Sequence, residues 1–231
     1  RLIMKDLSGY MGKVLRIDLS TKTTRDMNLN ADYVEKFIGG AGYAARLLYD
    51  MTTPETDALG RENPIFFIAG PMVGSTFPGG TKWTVCSLSP LTNIWGESSA
   101  SGFFGAEMKH AGYDGILITE RSKYPVYVAI MEGHAEIRKA EHLWGKDTFE
   151  TVHAIQSDLS EPRAKVASIG PAGERLVRYA SIVTDEERVC GRSGMGAVMG
   201  SKNLKAIAVR GTMKIPLAND EKVKELSNEA R

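Results

Sequence analysis

An internal repeat constrains the fold of this 231-residue chain more than any other feature. Residues 105–108 (Gly-Ala-Glu-Met), followed by the apolar run 115–118, match residues 196–199 (Gly-Ala-Val-Met), followed by the apolar run 206–209. Both pairs have the same spacing (196 − 105 = 91). A constant spacing over two different motifs is typical of a duplicated structural unit.

The repeat also includes a Gly-Pro pair upstream. Gly70-Pro71 matches Gly170-Pro171 at a larger spacing (170 − 70 = 100), so the second copy has a connection that is nine residues shorter. The copies cover roughly residues 64–119 and 164–210, and each reads as strand, Gly-Pro turn, strand, glycine-rich loop, short helix and strand. Two such halves, related by an approximate twofold, would bring two similar loops to one place, which suits a ligand with two alike parts.

Hydrophobic periodicity predicts the remaining elements. Alternation over residues 12–28 predicts a hairpin around a turn at 20–23. Asn30 is a suitable N-cap for a following helix, which Gly39-Gly40 and Gly42 interrupt. Strands are predicted at 65–69, 83–88, 115–119, 126–130, 165–169 and 177–183, and helices at 104–111, 147–158 and from Asn219 onward. The fold class predicted is α+β: a duplicated β-rich domain with mixed sheets and short helices.

Charge and composition exclude several classes of partner. The 29 basic and 28 acidic residues leave a net charge of +1, which is too little for a nucleic-acid or anionic-membrane surface. No apolar run approaches the roughly 20 residues that cross a bilayer, and the first residues lack a signal-peptide core, so a cytoplasmic protein is expected. Cys86 and Cys190 have no spacing typical of a disulfide or metal site and read as buried small residues.

Three segments rich in small residues are candidates for anion binding: residues 74–83, 98–105 and 188–196. Small residues let the backbone approach a ligand, and free N–H groups at a helix start hold phosphate oxygens, with Lys82 adding a charge. Arg188 and Arg192 add planar donors for phosphate or a heterocycle. The alternatives are tight turns for the glycines and a solvated surface for the arginines.

Familiar catalytic motifs are absent from the sequence. Gly191, Gly194 and Gly196 give G-x-x-G-x-G, which is not the dinucleotide fingerprint, and there is no Walker loop, nucleophile elbow or H-E-x-x-H helix. The four histidines lack ligand spacing and are predicted to be surface or capping residues. Glu107 and Asp114 have no acid–base partner in the sequence, and structural roles are predicted for both.

Several motifs together resemble the amino-terminal domain of the aldehyde:ferredoxin oxidoreductase family. The resemblance runs from about residue 10 to about residue 216, and its most specific part is Gly-Met-Gly-Ala-Val-Met-Gly-Ser-Lys-Asn-Leu-Lys-Ala-Ile-Ala-Val at 194–209. The other matching stretches are residues 12–21, 89–92, 103–109, 111–114 and 168–174. The expected division is therefore a pterin-binding domain at 1–216 and the start of a following helix at 217–231.

The resemblance implies a bound cofactor. In this family the domain is the floor for a tungsten or molybdenum bis-pyranopterin, whose two phosphates are bridged by magnesium. By matching position, Lys82 would lie between pterin and iron–sulfur cluster, and the backbone carbonyls of Ser99 and Val189 would reach the magnesium. The remaining pterin and phosphate contacts would be Ser101, Arg188, Gly191 and Arg192.

This chain departs from the family pattern at three of these positions. Lys82 stands where members usually have arginine, and it lacks the planar fork of a guanidinium. Ser99 and Ser101 stand where asparagine and glycine are expected. The match around residues 188–196 is undisturbed, so cofactor binding remains the leading expectation.

Family members carry a 4Fe-4S cluster on four cysteines in carboxyl-terminal helical domains. The two distant cysteines of this chain cannot supply those four ligands. The resemblance thus implies the cofactor-binding part of an enzyme that oxidises an aldehyde to a carboxylate and reduces ferredoxin, with the chemistry carried by the cofactor. The alternative is a non-catalytic scaffold that keeps the fold without the metal. Expected partners are ferredoxin, the carboxyl-terminal domains and a second copy in a homodimer. Substrate, and tungsten versus molybdenum, stay open.

Overall fold

The structure, a computed structural model, describes residues 7–230; residues 1–6, which belong to the segment searched for a signal peptide, and Arg231 lie outside the described residues. Two six-stranded sheets form the framework of this range. The strands are β1 (Lys13–Asp18), β2 (Thr23–Asn28), β3 (Ile65–Ala69), β4 (Trp83–Leu88), β5 (Trp95–Ala100), β6 (Gly115–Thr119), β7 (Val126–Met131), β8 (His134–Lys139), β9 (Lys165–Ser168), β10 (Ile182–Thr184), β11 (Arg188–Cys190) and β12 (Leu204–Arg210). The helices are α1 (Ala31–Phe37), α2 (Gly40–Met51), α3 (Phe104–His110), α4 (Thr148–Leu159), α5 (Pro171–Glu174), α6 (Met195–Ser201) and α7 (Asp220–Glu229).

The two sheets have the same topology. The first has the order β2-β1-β6-β3-β4-β5, and the second, read in the matching direction, has the order β8-β7-β12-β9-β10-β11. The sense of pairing also agrees, since β1–β6 and β7–β12 are parallel and the other neighbours are antiparallel. The duplicated α+β fold predicted from the sequence is confirmed.

The sheets pack face to face around a shared core. Side chains from both sheets meet there, such as Phe67 and Trp83 from the first and Val128 and Ile207 from the second, together with Phe104 of α3. Helices α1 and α2 cover the outer face of the first sheet, and α4 covers the outer face of the second. Because the central strands are buried on both sides, they read as continuous apolar runs, which is why the sequence locates them well.

Most predicted elements are present with small shifts at their ends. The opening hairpin is β1–β2, and the Asn30 side chain accepts the backbone N–H of Tyr33 at 3.1 Å, as a helix N-cap does. The interruption at the glycines is a real break, because α1 ends at Phe37 and α2 begins at Gly40. Asn219 caps α7 in the same way through Lys222 N–H.

The predicted strand at 177–183 is wrong. Only Ile182–Thr184 is a strand within this segment, and the residues before it form turns in which Arg178 and Tyr179 are exposed. A side chain at Gly194 would overlap with the carbonyl oxygen of Arg178, and one at Gly196 would overlap with that of Ser181. This segment is therefore irregular backbone held against the start of α6, a tertiary contact that local periodicity does not record.

Two segments interpreted as loops contain strands. Residues 98–100 belong to β5 and residues 188–190 to β11, the last strands of their sheets. Serine, glycine and alanine dominate β5, and β11 has three residues, so neither shows a strand pattern in the sequence.

Among residues 7–230, three lysines are fully buried: Lys109, Lys202 and Lys205. Lys109 Nζ contacts the carbonyl oxygens of Gly9, Gly70 and Pro71. Lys202 Nζ donates to Arg61 O at 3.2 Å and Glu120 O at 3.1 Å, and Lys205 Nζ lies 2.5 Å from Glu174 Oε1. Each ammonium group joins segments distant in sequence, so the two lysines within the specific motif at 194–209 have structural roles.

Burial lowers the pKa of Lys202 from 10.5 to about 8. Between these values the unfolded chain keeps a proton that the folded chain has lost, so the free energy of unfolding should increase as pH rises from about 8 towards 10. Lys202→Met should flatten this increase in denaturant unfolding measured at several pH values, whereas substitution of the exposed Lys36 should leave it unchanged. An equal pH dependence in wild type and Lys202→Met would contradict this assignment.

In the part of the chain that the structure describes, no helix is long and apolar enough to cross a membrane. Cys86 and Cys190 are free thiols in the interior, as predicted. Burial raises the pKa of both thiols, that of Cys190 to about 12. Neither thiol is therefore a reactive nucleophile at neutral pH.

Candidate functional site

The candidate site lies where β5 and β11, the equivalent edge strands of the two sheets, approach each other. The backbone N–H of Arg192 donates to Ser98 Oγ at 3.0 Å, and Ser193 Oγ donates to the carbonyl oxygen of Glu97 at 3.1 Å. The glycine-rich segments of both halves therefore meet on one side of the molecule, as the sequence predicted.

A cavity of about 620 Å³ lies at this junction. It is lined by Lys82, Glu97, Ser98, Ser99, Val189, Gly191 and Arg192. Five of the seven residues that the resemblance indicates are among them; the other two, Ser101 and Arg188, do not line the cavity. The volume is within the usual range for small-molecule sites, about 300–1,000 Å³.

The strand register makes Ser99 and Val189 equivalent positions. Gly115 of the central strand β6 is equivalent to Ala206 of the central strand β12. The sequence repeat matches the same two residues. Neighbours across the first sheet are Gly115, Ile68, Thr84 and Ser99, and across the second they are Ala206, Ser168, Val183 and Val189. The two positions indicated for the magnesium are thus related by the duplication itself.

Edge strands suit ligand binding through the backbone, because every second residue directs its carbonyl and N–H away from the sheet. Ser101 and Gly191 follow two residues after Ser99 and Val189, so they too are an equivalent pair. A side chain at Gly191 would meet Val189 Cγ1 at 3.4 Å and nothing closer. Backbone atoms of both halves are therefore available to one ligand.

The contacts across the junction also repeat in pairs. Ser98 corresponds to Arg188, and Gly102 corresponds to Arg192, by the same register. Arg192 N–H bonds to Ser98, and Arg188 Cγ lies 3.0 Å from the position of a Cβ on Gly102. Equivalent positions therefore meet once from each half, as an approximate twofold requires.

The charges do not follow this symmetry. The second half carries Arg188 and Arg192 where the first half carries Ser98 and Gly102, and Lys82 of the first half corresponds to Ser181. The cavity thus offers one ammonium, one guanidinium, two serine hydroxyls and backbone groups, with Glu97 as its single carboxylate. This donor set fits phosphate oxygens and heterocycle edges, so the residues present fit an anionic pterin cofactor.

Glu97 was not predicted as a site residue, and Ser98 was predicted only as part of the candidate segment 98–105. The position of Glu97 becomes visible only when residues 95–100 are recognised as an edge strand, which brings Glu97 and Ser99 to the same face. Most of the loop 74–83 is not part of this cavity: Gly74, Ser75 and Thr76 line a separate cavity of about 450 Å³ beside Ile215, and only Lys82 reaches the junction.

Glu107 and Asp114 have structural partners. Glu107 accepts hydrogen bonds from Arg210 Nη1 at 2.6 Å and Gly211 N at 3.0 Å. Asp114 accepts the backbone N–H groups of Met11 and Gly12, and burial raises its pKa. Among residues 7–230, no group of three or more His, Cys, Asp or Glu side chains could hold a metal ion, so a metal at the junction would need backbone or cofactor ligands.

Fold and junction together define a duplicated α+β domain with a cavity between its halves that is lined by two basic side chains, Lys82 and Arg192. Residues 14–211 match the family model described as "Aldehyde ferredoxin oxidoreductase, N-terminal domain". The chain belongs to this family.

Individual proteins that are similar to this chain support the same family. The tungsten-containing aldehyde ferredoxin oxidoreductases of Pyrococcus furiosus and Thermococcus kodakarensis are each 42% identical over 227 residues, which cover 96% of this chain and 38% of theirs. The WOR-like subunit of an aliphatic sulfonate oxidoreductase of Pyrococcus furiosus is 36% identical, with the same coverage. The chain thus spans little more than a third of the length of these relatives.

A solved structure is also similar. It is the active-site complex BamBC of benzoyl coenzyme A reductase with 1,5-dienoyl-CoA, with a TM-score of 0.94 and 39% identity over 96% of this chain and 34% of that chain. The family is therefore shown by both sequence and fold.

Proposed function

We propose that this chain is the cofactor-binding domain of a tungsten- or molybdenum-dependent oxidoreductase that oxidises an aldehyde to a carboxylate and passes the electrons to ferredoxin. The observation that carries the proposal is the pair of equivalent edge positions, Ser99 and Val189, at one cavity lined by Lys82 and Arg192. A bis-pyranopterin has two alike anionic parts, and this junction has two alike backbone edges.

In this proposal each residue has a binding role. The carbonyls of Ser99 and Val189 would bind the magnesium of the pterin phosphates, and Gly191 would let the backbone approach the pterin. Lys82 would lie between the pterin and the iron–sulfur cluster, and Ser101, Arg188 and Arg192 would make the remaining pterin and phosphate contacts. Because Ser101 and Arg188 lie outside the cavity as it stands, their contacts require side-chain or loop adjustment on binding.

The bound metal would supply the two-electron chemistry, and this domain would orient the cofactor and neutralise its phosphates. We assign the 4Fe-4S cluster, the substrate pocket and the ferredoxin contact to carboxyl-terminal domains from residue 217 onward. In this proposal the whole protein is cytoplasmic and forms a homodimer. The names of the relatives mention aldehydes, an aliphatic sulfonate and a dienoyl-CoA, so membership of the family does not by itself determine the substrate.

The test uses the protein at its full natural length, produced with tungstate and, in parallel, with molybdate. Purified protein is assayed for reduction of benzyl viologen with acetaldehyde and with benzaldehyde. The proposal predicts dye reduction that depends on the aldehyde and on one of the two metals. Protein that contains neither metal nor pterin and is inactive with both aldehydes would instead indicate a non-catalytic scaffold.

A further inference from the structure

Asp185 connects the two halves beside the candidate site. It lies in the turn between β10 and β11, and its Oδ2 accepts the backbone N–H of Phe103 at 2.5 Å. Phe103 precedes α3 in the first half, at the end of the segment that carries Ser99 and Ser101. One carboxylate of the second half therefore holds the end of the first half's binding segment.

Its other oxygen is buried without a partner. Asp185 Oδ1 has no hydrogen bond within the described part of the chain. A buried carboxylate oxygen without a donor is unfavourable, so a donor that reaches it in another state of the site would be bound well.

Arg188 is a donor side chain next to Asp185. A Cβ added to Gly102 would contact both Arg188 Cγ and Asp185 Oδ2. The side chains of Arg188 and Asp185 are therefore neighbours beside Gly102. The Arg188 side chain is half exposed. Within residues 7–230 it forms a long ion pair, in which Nη2 lies 3.8 Å from Glu187 Oε1. A rotamer change would exchange this exposed contact for Asp185 Oδ1.

Gly102 leaves the space for this arrangement. With φ of +94°, its conformation favours glycine, and a Cβ would overlap with Asp185 Oδ2. The glycine therefore serves the contact between halves, and its own atoms need not touch a ligand.

We propose that Asp185 is a positioning residue of the cofactor site, which holds residues 101–103 through Oδ2 and orients the Arg188 guanidinium through Oδ1 when cofactor is bound. The inference rests on the proposed function. Asp185 would thus hold the guanidinium of Arg188, which lies outside the cavity, in one orientation towards the ligand.

The test is a double-mutant cycle in the protein at its full natural length. Asp185→Asn keeps the size and the acceptor for Phe103 N–H but removes the charge, and Glu187→Gln removes the neighbouring charge as a matched control. Pterin content is measured by fluorescence after oxidative release, metal content by mass spectrometry, and folding by thermal unfolding. Mutation of a residue that hydrogen-bonds to a ligand of a bound metal typically lowers the metal affinity by roughly 10- to 100-fold.

We expect Asp185→Asn and Arg188→Ala to lower pterin and metal content by about tenfold or more. The double variant should be no lower than Arg188→Ala, Glu187→Gln should stay near wild type, and the melting temperatures of the cofactor-free proteins should be alike. Wild-type pterin and metal content in Asp185→Asn, or additive losses in the double variant, would overturn the role of Asp185 and leave the proposed function intact. A wild-type protein without pterin would overturn the proposed function, and this inference with it.

Discussion

Replacement of Lys205 by alanine is expected to lower the free energy of unfolding by about 3–5 kcal/mol, the cost of leaving one partner of a buried ion pair alone. The Lys205 side chain is fully buried, and that of Glu174 is 5% exposed. The ammonium also donates to Lys146 O at 2.8 Å, so this carbonyl loses its donor as well. Denaturant unfolding of both proteins at pH 7 measures the difference.

A double variant separates the charge from the packing. Lys205→Met with Glu174→Gln removes both charges but keeps most of the volume, and the amide oxygen of the new glutamine can still accept the N–H of Gly145 that Glu174 accepts. This variant should be closer to wild type than Lys205→Ala. A loss below about 1 kcal/mol in Lys205→Ala would show that the pair is not a structural anchor.

Replacement of Arg192 by alanine is expected to reduce the pterin and metal content of the purified full-length protein by roughly tenfold to 100-fold. One charge-assisted hydrogen bond contributes about 1.5–3 kcal/mol, and about 1.4 kcal/mol corresponds to a factor of ten. The backbone N–H of Arg192, which bonds to Ser98 Oγ, is kept in the variant. The loop should therefore remain in place while the guanidinium is lost.

Arg25 offers a matched control. It is exposed on β2, at the opposite edge of the first sheet from β5. Arg25→Ala removes the same charge without touching the junction, and the cofactor content should not change. Equal content in Arg192→Ala and wild type would mean that Arg192 is a solvated surface residue.

Much of the fold could be predicted because the repeat and the buried strands leave clear patterns. The matching of residues 115–118 with 206–209 identified the two central strands β6 and β12, around which the sheets are built. The repeat in the structure extends beyond the matched sequence, since β1–β2 and β7–β8 are equivalent hairpins without evident sequence similarity. The two halves keep the same topology even where their side chains differ.

The errors arise where tertiary contacts decide the backbone. The segment 177–183 has apolar residues at strand spacing, yet its carbonyls pack against Gly194 and Gly196 and keep most of it irregular. In β5 the small residues Gly96 and Ser98 resemble a loop, although the ladder with β4 holds them in a strand. Local propensity is a weak guide when the neighbours supply the hydrogen bonds.

The site could be predicted only in part. The resemblance indicated residues on both edge strands, and the register then made Ser99 and Val189 an equivalent pair, a relation that the sequence offsets alone do not give. Glu97 and Asp185 were missed because their relevance depends on which strand edge or turn faces the other half. Such information exists only in three dimensions.

Two equivalent edges that bind one ligand with two alike anionic parts should fix the cofactor composition of the purified full-length protein. The ratio of pterin to tungsten or molybdenum and to magnesium measures this composition most directly. We expect two pterins and one magnesium for each tungsten or molybdenum atom. One pterin per metal atom, or metal without pterin, would show that the two edges do not share such a ligand.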